Sequence, residues 1–84
     1  MFVVNKSIEN QIGINIRHIR ENQNMTQDEL AAKLQILGCD ITRSAIAKIE
    51  VGQRHLYPDE ILLIKEIFQT DFDKIFYGEK KKGL

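Results

Sequence analysis

Apolar residues recur along this chain at helical spacing, and each run is bracketed by residues suited to starting or ending a helix. Ile8, Ile12, Ile16 and Ile19 form one stripe, which predicts a first helix from Ser7 or Asn10 to Asn22. Arg17 and Arg20 fall near its end, where cations suit the helix dipole, and Asn24 tolerates the left-handed conformation of a helix terminus. Thr26 with Glu29 three residues later has the arrangement of a capping box, and Leu30, Leu34 and Leu37 follow at i, i+4 and i+7. The second helix should therefore run to about Leu37, with Gly38 ending it. Thr42 is a good N-cap for a third helix, and Gly52 suits the position just past its end.

Gln53 to Tyr57 then form a loop, and Pro58 fits the first turn of a fourth helix whose Asp59 and Glu60 favour the dipole. That helix should reach about Gln69, with Ile61, Ile64 and Phe68 as its core stripe. Leu62, Leu63 and Ile67 widen its apolar surface, so it must be buried on more than one side. Either a fifth helix covers the excess or a second subunit does. The fifth helix is short, from an Asp71 cap through Ile75 and Phe76. Leu63, Ile67, Phe76 and Tyr77 are the dimer-interface candidates, with Phe72 adding aromatic bulk; closure of the monomer core is the other reading of them. Phe2 to Val4 are either a frayed end or an arm that packs on a partner. The tail 78–84, GEKKKGL, should be disordered, its lysines solvated or adding phosphate contacts. The expectation is an all-α chain of five helices in one domain, 1–84, with its core at about 7–77.

The third helix has two unlike sides. At about 100° per residue, Ala45, Ile46 and Ile49 share one, while Arg43, Ser44, Ala47 and Lys48 share the other, which contains no aspartate or glutamate. Such a front is either an ordinary solvated face or a reader of the DNA major groove. The groove is about 12 Å wide and admits one helix; arginine and lysine donate to guanine edges, and serine donates or accepts.

MTQDELAAKL at Met25 to Leu34, followed by SAIAKIEVG at Ser44 to Gly52, resembles the helix-turn-helix domains of phage lambda-type repressors and the related bacterial XRE regulators. The resemblance extends over roughly Ile12 to Phe76, and the pairing of the two motifs is far more specific than either half. It implies a lambda-repressor-like five-helix fold whose third helix is the recognition helix, with the second lying across it over the DNA backbone. It also implies an operator-binding homodimer that represses or tunes transcription. Carried onto this chain, it puts Thr26 and Gln27 on a phosphate, with Gln27 also bracing the recognition helix. Thr42, Arg43, Ser44 and Lys48 are placed at base edges or adjacent phosphates, Ala47 at a thymine methyl, and Arg54 on a phosphate along the following loop. The resemblance pairs Arg20 with Glu50, tying helix 1 to the end of helix 3; the alternative is two exposed charges worth about 0–1 kcal/mol. One departure stands out: QILGCDI separates Leu34 from Thr42, where the family's turn is shorter. The extended turn can change the tilt of the recognition helix.

Composition changes this picture in only a few places. The 84 residues, 43% hydrophobic and 29% charged, suit one small globular domain rather than a disordered chain. No apolar run approaches a membrane span, and no signal peptide is visible. A single Cys39 suggests a reduced, cytoplasmic setting. Cys39, His18 and His55 form neither a metal-ligand spacing nor a nucleophile, base and orienter, so neither enzyme activity nor a cofactor is expected. With no second domain, no small ligand should be sensed within the chain. Twelve Lys and Arg balance twelve Asp and Glu, with pI near 6.7, which is unusual for a nucleic-acid partner. Six acids against Lys65 and Lys74 concentrate between Asp59 and Glu79, leaving room for a basic face elsewhere. Non-specific affinity should still be weak, because phosphate neutralisation supplies most of that term. The neutral balance and the broad apolar helix 4 also suit a second class of function, a protein-interaction module or antitoxin-like partner built on the same fold.

Overall fold

The computed structural model describes residues 6–78. The expectations for Phe2 to Val4 and for the lysine-rich tail lie outside them. Five helices follow in order: α1 (Lys6–Asn22), α2 (Gln27–Ile36), α3 (Arg43–Glu50), α4 (Pro58–Phe68) and α5 (Phe72–Tyr77). The described residues contain no strand, so the fold is the all-α one that the helical periodicity predicts.

Local chemistry sets the boundaries. Thr26 Oγ1 accepts from the Glu29 amide at 3.0 Å while Glu29 accepts from the Thr26 amide at 2.7 Å, a complete capping box. Thr42 caps α3 by accepting from the Ala45 amide at 3.1 Å, and Asp71 caps α5 by accepting from the Lys74 amide at 3.0 Å. Four helices end in the same way. After α1, α2, α3 and α4, a left-handed residue (Asn24, Gly38, Gly52, Gln69) is followed by an amide that bonds back to a carbonyl of the last turn. The pairs are Met25 to Arg20, Cys39 to Leu34, Gln53 to Lys48 and Thr70 to Lys65, each the six-to-one bond of a Schellman motif.

The core gathers Ile12 and Ile16 from α1, Leu30, Ala31 and Leu34 from α2, and Ile46 and Ile49 from α3. Ile64 and Phe68 of α4 and Ile75 of α5 complete it, with Ile41 entering from the α2–α3 turn. Two residues of the anticipated stripes lie outside. Ile8 is 52% exposed because it sits in the first turn of α1, more than a turn ahead of the point where α1 meets α3. Leu37 is 51% exposed because α2 stops at Ile36 and Leu37 is its C-cap, off the helical stripe. The buried apolar residue of this stretch is Ile41, whose carbonyl accepts from the Gln35 side chain at 2.9 Å.

The pairing of helices also differs from one expectation. α5 lies on α1, and α4 lies on α2, so α5 is not simply a cover for the wide face of α4. Buried Asn15 joins α1 to α5 by donating to the Ile75 carbonyl at 2.9 Å and accepting from Gln11 at 2.9 Å. Leu63, Ile67 and Phe76 pack partly buried against the core, whereas Leu62 is half exposed and Tyr77 is 70% exposed.

α1 crosses the end of α3 at Gly13. A β-carbon there would collide with the backbone carbonyl oxygen of Ile49 and come within 3.2 Å of the Ile49 carbonyl carbon. Backbone cannot swing aside as a side chain can, so α1 approaches α3 this closely only because residue 13 has no side chain. Gly13→Ala should therefore destabilise the domain by about 1–3 kcal/mol despite the better helix propensity of alanine. The midpoint of urea unfolding checks this, and an unchanged or raised midpoint would show that the contact is slack.

Candidate nucleic-acid interface

α3 is eight residues, about 12 Å long, and is buried on one side only. Ile46, Ile49 and Glu50 are buried and Ala45 is partly so; Arg43, Ser44 and Lys48 are exposed, and Ala47 is half-buried between them. Thr42 stands exposed at the helix start with its oxygen committed to the cap. The front is thus a short polar and basic strip, with the methyl of Ala47 recessed in it.

What holds this strip outward is a charge network behind it. Arg20 Nε lies 2.7 Å from Glu50 Oε2 and Arg20 Nη2 lies 3.1 Å from Glu50 Oε1, a two-pronged ion pair whose side chains are 9% and 2% exposed. Arg20 Nη1 donates to the Met25 carbonyl at 2.7 Å, and Gln27 Nε2 donates to Glu50 Oε1 at 3.0 Å. α1 and the first residue of α2 therefore meet the last residue of α3 at one carboxylate, and Arg20 ties the α1–α2 turn to the same place. The hydrogen bond to Glu50 holds the Arg20 guanidinium charged to still higher pH than usual, against the opposing effect of burial. An exposed, weak pair is excluded by this burial.

The same geometry limits what the start of α2 can offer a ligand. The Thr26 amide donates to Glu29, the Thr26 oxygen accepts from Glu29, and the Gln27 side chain is held by Glu50. A phosphate could still be met by the first-turn amides of Gln27 and Asp28, which have no intrahelical acceptor, and by the Thr26 hydroxyl hydrogen. Beside them lies a group that inspection of α3 alone overlooks. Asp28 Oδ1 is 3.9 Å from Arg43 Nε, both side chains largely exposed, so an acid from α2 borders the acid-free front of α3.

Arg54, placed on a phosphate by the resemblance, is bound elsewhere. Its two terminal nitrogens donate to Glu60 at 2.9 and 3.0 Å, one of them also to the His55 carbonyl at 2.9 Å, and its guanidinium lies 5.6 Å from the Tyr57 ring centroid. A fork filled in this way has little left for a phosphate. Glu60, taken from its position as a dipole partner of α4, also accepts from the Tyr57 amide at 3.0 Å and is buried. Burial alone would raise its pKa, but the hydrogen bonds from Arg54 and Tyr57 outweigh it and hold the carboxyl below the usual glutamate range. Nearby, His55 Nδ1 lies 2.7 Å from Glu9 and Lys6 donates to the Gly52 carbonyl at 3.2 Å, so the start of α1 clasps the loop after α3.

Other chemistry is not assembled. No group of three or more metal-ligating side chains gathers among the described residues, and no helix there is long and apolar enough to cross a membrane. Burial, with the Glu60 and Asp59 charges, pushes the Cys39 thiol up in pKa and so away from the reactive thiolate. His18 lines a cleft of about 660 Å³ between α1 and the α4–α5 corner, with no residue of α3 in its wall.

A sequence model of the family described as Helix-turn-helix matches residues 16–75, well over half of the chain. No curated protein and no solved structure matches it.

Removing the carboxylate of Glu50 leaves the buried Arg20 guanidinium and the half-buried Gln27 amide without that partner. Glu50→Ala should cost about 3–5 kcal/mol, much of the stability of so small a domain, as a fall in the urea midpoint. A loss under about 1 kcal/mol would mean that water takes over the pairing. Glu60 gives a pH dependence of definite sign. Its folded pKa is depressed, so its contribution is complete above the ordinary glutamate value and disappears as pH falls through the lower folded value. The thermal midpoint of Glu60→Gln should accordingly change less on acidification through that window than that of the unmodified protein; parallel curves would refute the assignment.

Proposed function

We propose that this chain, which belongs to the helix-turn-helix family of phage lambda-type repressors and XRE regulators and is in general terms a DNA-binding regulator, binds an operator as a homodimer and represses transcription there. The observation that carries this reading is the α3 front, Arg43, Ser44 and Lys48, held outward by the buried Arg20–Glu50 pair and its bond to Gln27. In the major groove, Arg43 would donate to a guanine edge, Ser44 and Lys48 to base edges or adjacent phosphates, and the recessed Ala47 methyl would meet a thymine methyl. Thr42 would stand beside the entering strand. The Thr26 hydroxyl and the Gln27 amide would hold a phosphate at the start of α2, fixing the register. A second copy would dock through the surface formed by Leu63, Ile67, Phe76 and Tyr77, of which Tyr77 is the most exposed. Two-fold symmetry would then space the half-sites about one helical turn apart.

The exposed Leu62 and Tyr77, together with the zero formal net charge, support a second reading, a protein-interaction module on the same fold. Selection from a randomised duplex library at near-physiological salt separates the two. The operator reading expects an enriched two-fold symmetric motif; no enrichment by the folded protein leaves the interaction module. With the motif in hand, Arg43→Ala should cost about 1–3 kcal/mol and relax preference at one position. An equal loss on every sequence would make Arg43 a phosphate contact instead.

A further inference from the structure

A base-reading arginine works through the geometry of its fork, two N–H groups aimed together at one guanine edge. The same guanidinium suits a phosphate equally well, and phosphates flank every position in the groove. Discrimination at an exposed arginine therefore depends on what holds the fork away from the backbone. Arg43, the first residue of α3, has a side chain 66% exposed, and the one acid against it comes from a different helix: Asp28 Oδ1 lies 3.9 Å from Nε. At that separation the carboxylate attracts the guanidinium from its Nε side without hydrogen-bonding to it, so Asp28 takes up none of the N–H groups of the fork. Asp28 and Arg43 also line one shallow cleft of about 540 Å³ with Thr26 and Gln27, the residues assigned above to a phosphate. The carboxylate thus shares one cleft with the arginine and with the place assigned to that phosphate, and its charge repels an anion there.

We infer that Asp28 is a positioning residue for Arg43: its charge draws the guanidinium from the Nε side, leaves the N–H groups of the fork for a guanine edge, and opposes capture of Arg43 by the phosphate at the start of α2. This inference rests on the DNA-binding reading above. An ion pair with side chains 66% and 78% exposed contributes little to folding, so its effect should appear in recognition rather than stability. Asp28 also adds a negative charge beside the backbone, which weakens binding to every sequence alike. The residue exchanges non-specific affinity for discrimination.

The test uses the full chain and its selected operator. Dissociation constants would be measured for the operator, for operators altered at each position in turn, and for a random duplex. The unmodified protein, Asp28→Asn, Arg43→Ala and the double variant would be compared, with thermal midpoints recorded for all four. Asp28→Asn should bind the random duplex about twofold to fivefold more tightly, with an unchanged midpoint. Its preference at the single position relaxed by Arg43→Ala should fall by a similar factor while other positions hold. In the Arg43→Ala background, Asp28→Asn should leave that position unaffected. Unchanged preference in Asp28→Asn, an equal fall at every position, or the same fall without Arg43 would each overturn the inference while leaving DNA binding intact. A protein that selects no duplex at all would instead remove the reading on which it rests.

Discussion

The buried carboxylate of Glu50 is the constraint on which the rest of the arrangement depends. A charge only 2% exposed must be paired, and its partners come from α1 and from the first residue of α2. Those bonds can form together in only one relative placement of three helices. Net stability is a poor account of such a pair, because desolvating two charges costs about as much as their attraction returns. Its geometric effect is larger: Arg20 fixes the end of α3 to α1, its third donor closes the α1–α2 turn on Met25, and Gln27 brings α2 to the same point. The absence of a side chain at Gly13 lets the backbones of α1 and α3 approach closely enough for this to happen. An outward-facing strip on α3 is then a consequence.

The arginines divide the work in a way that net charge conceals. Arg20 is buried on Glu50, Arg54 is held by Glu60, and Arg17 faces Glu21 along α1. Arg43 and Lys48 remain exposed on α3, with Asp28 touching only the first. Because phosphate neutralisation sets the sequence-independent part of DNA affinity, arginines already held by Glu50, Glu60 and Glu21 add little to it. Sequence discrimination, by contrast, is a matter of contacts to base edges rather than of net charge. Zero net charge is thus compatible with recognition of DNA, though not with tight binding to all of it.

Much of the fold was legible because its signals are local. Capping residues, the glycines after α2 and α3, and the isoleucine and leucine stripes act within one or two turns, so they could be read from the chain itself. The failures involve partners that no local pattern reveals. Asn15 is buried because it meets a carbonyl sixty residues away, and Ile41 because the turn folds it inward. Arg54 meets Glu60 only six residues on, yet nothing in periodicity distinguishes that pairing from a phosphate contact. Asp28 was hidden for a related reason: a helical wheel shows one helix at a time, and the border of the α3 front is supplied by α2. Ile8 and Leu37 had the right spacing, but Ile8 lies ahead of the place where α1 meets α3, and α2 itself stops at Ile36.

The extended turn between α2 and α3 shows how a departure from the family pattern can be absorbed. α2 runs to Ile36, Gly38 closes it in the left-handed conformation, and the Gln35 side chain caps the Ile41 carbonyl while Ile41 itself enters the core. Thr42 then begins α3 with an ordinary N-cap, so the added length ends before the exposed strip of α3 starts. At its other end α3 is fixed by Glu50, through bonds that do not involve the turn at all. A helix held by a buried apolar residue just before its first turn and by a buried ion pair at its last has little freedom to tilt. The length of the connection is therefore largely decoupled from the direction in which Arg43, Ser44 and Lys48 point. This is the physical reason a longer turn can be accommodated without losing the face that it precedes.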